Sequence, residues 1–352
     1  MLALTWRRGV VVGALLSCAL LLAACSGSSG TSSHHHKPNP GPVPTPPPRP
    51  VVPAGSQRVS CPTATTTVHN ADELKATLSH PQPGQSIRIA DGTYTGKFVG
   101  TGSGTAQQPI FLCGDSGAVL DGGGIKAGYA LHLDGVSWWR LVGFTVRNGQ
   151  KGVVADHTQH TVIQGLQVSG IGDEAIHLRT FSSENVVIGN SVSNTGLRRD
   201  KFGEGVYVGT AESNWCKLTN CKPDNSDRNV VRDNTIAGTR AESIDIKEGT
   251  TSGAIVDNTF DGTALAGADS WVDVKGNGWL IEGNTGHKSP QDGFQTHQVV
   301  NGWGTGNTFR RNVADVDGPG YGIHLAPIAT NKVSCDNKAS GAGQGLTNTK
   351  CA

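Results

Sequence analysis

An excess of charge of either sign is missing from this sequence: 29 Lys and Arg stand against 28 Asp and Glu in 352 residues. A near-neutral chain lacks the broad basic field that draws a protein to nucleic acid, so no nucleic-acid partner is expected. Methionine occurs once, and beyond the N-terminus no stretch resembles a long amphipathic helix, which argues against a mainly helical fold. A glycine-rich phosphate loop between a strand and a helix is also lacking. Gly100-Thr-Gly-Ser-Gly104 only approaches a nucleophile elbow, with Ser103 one place too late. Glycine is what the chain has in quantity, 49 residues beside 17 prolines. That composition suits short strands separated by tight turns, because glycine supplies the positive φ angles that turns need.

The N-terminus reads as an export signal. Arg7 and Arg8 precede an apolar stretch at 10–24 that is too short to span a membrane comfortably. It ends in Leu22-Ala-Ala-Cys25, which resembles a bacterial lipobox, and the resemblance implies cleavage before Cys25 and lipidation of its thiol. The expected organisation is a signal peptide at 1–24, a lipid-anchored Ser/Pro/His-rich linker at 25–57 and a folded domain at 58–352. The protein would then be extracytoplasmic, held to a bacterial membrane by its lipid, and monomeric. Residues 26–57 carry almost no large apolar side chains and act as a tether. His34, His35 and His36 within it are assigned no function. Of the eight cysteines, Cys18 leaves with the signal and Cys25 is lipidated. The remaining six read as three disulfides in an exported domain, and sequence order suggests Cys61 with Cys113, Cys216 with Cys221, and Cys335 with Cys351.

From residue 128 onward one short apolar-polar-apolar phrase returns: Leu131-His-Leu133, Val153-Val-Ala155, Ile176-His-Leu178, Val206-Tyr-Val208, Ile244-Asp-Ile246, Val272-Asp-Val274, Phe294-Gln-Thr296 and Ile323-His-Leu325. Each is followed by a second apolar cluster, and in most repeats a third element opens with Asn: Asn190, Asn234, Asn258, Asn284, Asn312 and Asn337. The basal spacing, about 22 residues with insertions, fits one coil of an all-β parallel solenoid with three strands per turn, a right-handed parallel β-helix. The recurring Asn can then stack as an internal amide ladder. Asn70-Ala-Asp-Glu73 resembles a capping box opening a short amphipathic helix at 71–79, with Leu74 and Leu78 on one face, as a cap for the N-terminal end. Insertions at 193–206 and 209–228 are expected to form loops flanking the first sheet, where a binding site can be built.

Alternation turns the middle residue of each first strand outward, and successive coils lie about 4.8 Å apart. Up the stack this gives His132, Val154, His177, Tyr207, Asp245, Asp273, Gln295 and His324. The next outward row contains Asp134, Asp156, Arg179, Lys247, Lys275 and His297, with Glu174, Glu204, Glu242 and Asp292 in the turns just before strands. Such a strip of ionisable groups in a chain that is only 16% charged marks a candidate groove.

Three segments carry a family resemblance: Gly84-Gln-Ser-Ile-Arg-Ile-Ala-Asp-Gly-Thr-Tyr94, Gly102-Ser-Gly-Thr-Ala106 followed by Pro109-Ile110, and Val142-Gly-Phe-Thr-Val-Arg-Asn-Gly149. They resemble the opening coils of the chondroitinase B and alginate lyase family. Glu242-Ser-Ile-Asp-Ile-Lys247 is similar to that family's segment bearing a calcium-binding Glu and a Lys base, and Lys275-Gly276 falls where the family has a catalytic Arg followed by His-Gly. The resemblance implies β-elimination on a uronate-containing polysaccharide. Arg240 stands where a second acidic ligand is expected, and Glu204 or Glu174 from a neighbouring coil would have to supply the carboxylate.

The chemistry needs the sugar carboxylate neutralised, a base for the proton beside it, and a proton for the leaving oxygen. Ca²⁺ on Glu242, Glu204 and Glu174 would supply the first. Lys247 would be the base if Lys275, Arg179 and the metal depress its pKa, and Lys275 or Tyr207 the proton donor. Arg179, His177, Gln295 and His297 complete the expected substrate contacts. Two other classes use the same strip. Asp245 and Asp273 on adjacent coils could form the carboxylate pair of a retaining glycoside hydrolase. A glycan-binding surface module would stack sugars on Trp138, Trp139, Trp271, Trp279 and Trp303. His287, His297 and Asp292 are a weaker transition-metal set.

Overall fold

The structure, a computed structural model, describes residues 58–352. The signal, the lipobox and the linker fall outside the described residues. Among these residues no helix is long and apolar enough to cross a membrane.

Three parallel sheets wind around one apolar core. An 11-stranded, a 10-stranded and a 9-stranded sheet take one strand each from successive coils, so from Ser86 onward consecutive strands in the chain belong to different faces. The strands are mostly three or four residues long because each face of the coil is narrow. Inward residues such as Leu131, Ile176, Val208, Ile246 and Val274 are fully buried, and the core stays apolar from Val68 to Val333. Turns between faces use the left-handed region repeatedly. At Gly143, for example, φ is +88° and a Cβ would meet the Gly114 carbonyl, so only glycine closes the turn without moving the neighbouring coil.

The row of middle residues holds in register: His132 pairs with Val154, Val154 with His177, His177 with Tyr207, Tyr207 with Asp245, Asp245 with Asp273, Asp273 with Gln295 and Gln295 with His324. The amide ladder is present through all six expected positions. Asn190 Nδ2 donates to Asn234 Oδ1 at 2.9 Å, and the pattern continues through Asn258, Asn284, Asn312 and Asn337 at 2.9–3.0 Å. Each of these amides also donates to a backbone carbonyl on the preceding strand, so a buried polar group is satisfied at every coil.

Helix α1 (Ala71–Ser79) is capped by Asn70: the Glu73 amide donates to Asn70 Oδ1 at 3.0 Å, and the Glu73 carboxylate reaches back past the cap residue's own amide to accept from the His69 amide and the Asn70 side chain, both at 2.7 Å. Leu74 and Leu78 are buried in the core at the N-terminal end. All three disulfides pair in sequence order, Cys61 with Cys113, Cys216 with Cys221 and Cys335 with Cys351. The insertions lie beside the 9-stranded sheet, and the second contains a one-turn helix α2 (Trp215–Leu218) and the Cys216–Cys221 bridge.

Asn258 tests the ladder. It accepts from the Asn234 amide and side chain and donates to Val231 and Asn284. Asn258→Ala leaves several of these buried groups unpaired and is expected to cost about 3 kcal/mol in denaturant unfolding. Thr235→Ala, at an exposed position one coil earlier, should stay within about 0.5 kcal/mol.

Candidate active site

The 9-stranded sheet and the two insertions enclose a cavity of about 550 Å³. Tyr129, Lys151, His177, Arg179, Glu204, Tyr207 and Lys247 line it from the sheet and its turns, while Arg198, Arg199, Lys201, Phe202, Asn214 and Lys217 line it from the loops. Basic side chains outnumber acidic ones, and Arg199, Lys201 and Lys217 are exposed and form no ion pair among the described residues. These loop cations escaped the strand-by-strand reading. The run Leu197-Arg-Arg-Asp-Lys201 inside the first insertion was the signal for Arg199 and Lys201, while Lys217 stands outside any such run in the second.

Tyr207 and Lys247 sit together on the cavity floor. The Tyr207 ring stacks on His177 with centroids 4.1 Å apart, and the Lys247 ammonium lies 5.2 Å from its centre. His177 is fixed by Nε2, which donates to the Gly209 carbonyl at 3.0 Å. The Tyr207 hydroxyl has no hydrogen-bond partner among the described residues. Burial first, then Asp245, Glu204 and Glu174, push its pKa well above 10, so it carries a phenolic proton.

Lys247 differs from expectation. Burial alone would lower its pKa, but Asp245 at 2.6 Å, with Glu242 and Glu204 nearby, outweighs burial and pushes it upward. The depression anticipated from Lys275 and Arg179 is overturned because Lys275 spends its charge on carboxylates and Arg179 is clamped to Asp156. That clamp is bidentate, at 2.6 and 3.0 Å, and Arg179 also donates to the Tyr129 hydroxyl at 3.0 Å. Burial would raise the Asp156 carboxyl, but bonds from His132, Arg179 and Thr180 hold it well below the usual carboxylate range.

Behind the floor lies a buried ionic cluster. The Lys275 ammonium contacts Asp245 at 2.8 Å, Asp273 at 2.6 Å and Glu242 at 4.0 Å. Lys275 is buried outside the cavity lining, so it cannot hand a proton to a bound polymer as anticipated. Asp245 and Asp273 are buried on either side of this ammonium, and His297 caps Asp273 at 2.9 Å. This removes the pair from hydrolytic service, because neither carboxylate faces the cavity free to attack or to activate water. His297 is thereby committed to Asp273, and Gln295 is buried with its amide donating to Asp292 at 2.9 Å. Neither residue lines the cavity.

Carboxylate oxygens of Glu204, Glu242 and Asp245 come within 4.8 Å of one another, a set that could hold a metal ion. Glu174 does not belong to it. Its carboxylate is taken by Lys151, with His177 Nδ1 at 3.4 Å. Glu204 thus supplies the carboxylate sought from a neighbouring coil, whereas Arg240 is exposed and faces Asp200 at 3.4 Å. Glu204 is raised well above the ordinary Glu range by burial and by Glu174, Asp245 and Glu242. Burial and Asp245 push Glu242 up to about 7, against the opposing pull of Lys275.

Trp139, Trp271 and Trp279 are fully buried and pack the core, so they offer no sugar platform, while Trp138 stacks on His160 at 4.2 Å at a coil edge away from the cavity. The His287, His297 and Asp292 set is not assembled, since these groups pair instead with Asp315, Asp273 and His324 respectively.

Parallel coils, three sheets and an asparagine ladder define a right-handed β-helix, and residues 129–277 match the family model described as right handed beta helix region. Among solved structures, the chain is 35% identical to an alginate lyase from Paenibacillus sp. str. FPU-7, covering 82% of this chain and 100% of that one with a TM-score of 0.76. The chain belongs to the family of that β-helix protein. The pectate lyase Pel9A shares the fold at 14% identity and a TM-score of 0.61, covering 82% of this chain and 79% of that one. The catalytic domain of a GH87 α-1,3-glucanase does so at 12% identity and a TM-score of 0.52, covering 83% and 67%. No curated protein matches.

The raised Glu242 has a measurable consequence. An acid whose pKa is higher folded than unfolded contributes stability that is full below its unfolded value near 4.5 and is lost as pH rises through about 7. The stability difference between the wild type and Glu242→Gln should therefore move against the wild type between pH 5 and 8, as read from urea unfolding at each pH.

Proposed function

We propose that this protein is an exported polysaccharide lyase that cleaves a uronate-containing polymer by β-elimination. The observation that carries the reading is the cavity itself: Lys247 and Tyr207 meet on its floor, beneath a loop wall whose Arg199, Lys201 and Lys217 have no counterion among the described residues. Unpaired cations at a groove suit a chain of carboxylates, which they can neutralise without first breaking an internal salt bridge. The 35% identical relative is an alginate lyase, which supports the same class of substrate.

In this reading the loop cations hold the polymer's carboxylates and set one sugar over the floor. Tyr207, a protonated phenol whose hydroxyl has no hydrogen-bond partner among the described residues, donates to the departing glycosidic oxygen. Lys247 takes the proton beside the carboxylate, and to do so must first shed the proton that Asp245 stabilises. His177 holds the Tyr207 ring by stacking and acts as a positioning residue. No calcium is invoked at Glu204, Glu242 and Asp245, because both oxygens of Asp245 already accept from lysine ammonium groups, and neutralising the sugar carboxylate falls to the loop cations. The hydrolase reading loses Asp245 and Asp273 to buried ion pairs, and the binding-module reading loses Trp139, Trp271 and Trp279 to the core, while half-buried Trp138 and Trp303 do not line the cavity. We further propose that the lipobox at Cys25 tethers the domain outside the cytoplasm, within reach of large polymers.

Incubation with alginate, pectate, chondroitin and glucuronan should yield ultraviolet-absorbing unsaturated ends and reducing ends in parallel on at least one polymer. Lys247→Ala and Tyr207→Phe should each lower kcat by about 10²-fold or more while the fold is retained. Reducing ends without unsaturation would overturn the lyase reading.

The base assignment has its own signature. With the Lys247 ammonium stabilised, log kcat/KM should rise about one unit per pH unit between pH 7 and 9. A flat profile would make Lys247 the cation that neutralises the sugar carboxylate and move proton abstraction elsewhere. Lys217→Ala should raise KM several-fold with kcat nearly unchanged, since its ammonium touches the polymer and not the reacting bond.

A further inference from the structure

The second coil of the ionic cluster repeats the first. Asp245-Ile-Lys247 and Asp273-Val-Lys275 lie on adjacent strands with Asp245 opposite Asp273, yet the two lysines end in different places. Lys247 reaches the cavity, whereas Lys275 turns its ammonium inward among carboxylates from both strands and the preceding turn. We propose that Lys275 is the built-in cation of this cluster, and that Glu204, Glu242 and Asp245 neither hold nor need a divalent metal ion in this protein.

The argument rests on donor and acceptor accounting. Calcium takes six to eight oxygens at about 2.3–2.6 Å. Of the three carboxylates within reach, Asp245 has one oxygen 2.6 Å from the Lys247 ammonium and the other 2.8 Å from that of Lys275. A divalent ion drawn to Asp245 would sit within a few ångströms of two positive charges. Lys275 cannot withdraw, since its side chain is only 10% exposed and Asp273 holds the ammonium at 2.6 Å. Among the described residues the Glu204 and Glu242 carboxylates accept no hydrogen bond from another residue, and that of Glu242 meets only Lys275 at 4.0 Å, so their oxygens are open. Two carboxylates nevertheless fall short of six to eight donors, and the third, Asp245, brings two ammonium groups to the same point.

The residue type fits this role. An ammonium is a compact charge with three donors that can point at carboxylates in different directions, as Asp245, Asp273 and Glu242 require, whereas the planar guanidinium fork is suited to one carboxylate face at a time. Lysine at 275, where the family resemblance places an arginine, is then the substitution that replaces a metal rather than a weakened catalytic residue. This inference goes beyond the lyase reading and does not depend on it, because cation binding is read directly.

The test is calcium titration of the purified full-length protein after dialysis against chelator, followed by thermal unfolding and by calorimetry, with magnesium at equal ionic strength as control. The wild type should show no saturable heat, and a calcium-specific Tm shift below about 1 °C at millimolar calcium. Lys275→Met keeps the apolar stem and removes the charge. It should unfold at lower temperature and recover several degrees on adding calcium, as the freed carboxylates accept the ion. Saturable calcium binding by the wild type that is lost in Asp245→Asn would overturn the proposal, as would a folded Lys275→Met with no calcium response. Should Lys275→Met fail to fold, the wild-type titration decides the question alone.

Discussion

Coil-to-coil register is the constraint on which everything else in this molecule depends. Parallel hydrogen bonding stacks each strand on its counterpart one turn away, and a slip of one residue would carry the apolar set outward and the polar set into the core. The asparagine ladder from Asn190 to Asn337 guards against such a slip, because each amide finds both its acceptors only when the coils are aligned. Once register is fixed, the outward row is fixed too. Tyr207, Asp245 and Asp273 become neighbours although they are far apart in sequence.

The same constraint explains why the fold was legible in the sequence and the site only in part. Strands, ladder, helix α1 and disulfide order are local or periodic signals, and each recurs at a spacing that names its partner. The row running from His132 to His324 could therefore be written down residue by residue. What alternation does not give is depth: Gln295 and Tyr207 occupy equivalent positions, yet one is buried against Asp292 and the other faces the cavity, according to the loops and turns beside each strand. The basic loop wall of Arg199, Lys201 and Lys217 obeys no period, so only its composition announced it. Tryptophan misled for a related reason. Trp139, Trp271 and Trp279 fill the core because a large ring closes the coil interior where neighbouring positions are small, as at Gly253 and Gly286.

Electrostatics divides the site into two layers. The buried layer is nearly self-satisfied: Arg179 with Asp156, Lys151 with Glu174, and Lys275 with Asp245 and Asp273. Such pairs gain little net stability after desolvation, but removing one partner leaves a buried charge alone, so they hold geometry in place. The exposed layer keeps its cations free. This separation matters for a polyanion ligand, since a cation already neutralised by an internal carboxylate has little left to offer a sugar carboxylate, and one exposed on a loop keeps its charge for the polymer.

Lys247 is the residue where the two layers meet, and its environment shows why an isolated reading of charge fails. Two nearby basic side chains, Lys275 and Arg179, together with a metal ion, led to the expectation of a depressed amine. Both side chains, however, face their own carboxylates, and the field that reaches Lys247 is dominated by Asp245, Glu242 and Glu204. Proximity in a stack does not decide the sign of a shift; what matters is which charges remain uncompensated at that point. A polymer carboxylate brought close to this ammonium would stabilise it further. Any base action by Lys247 must then draw on the reorganisation that substrate imposes on Asp245, and the second ammonium, on Lys275, is what allows Asp245 to release Lys247 without being left as a bare buried charge.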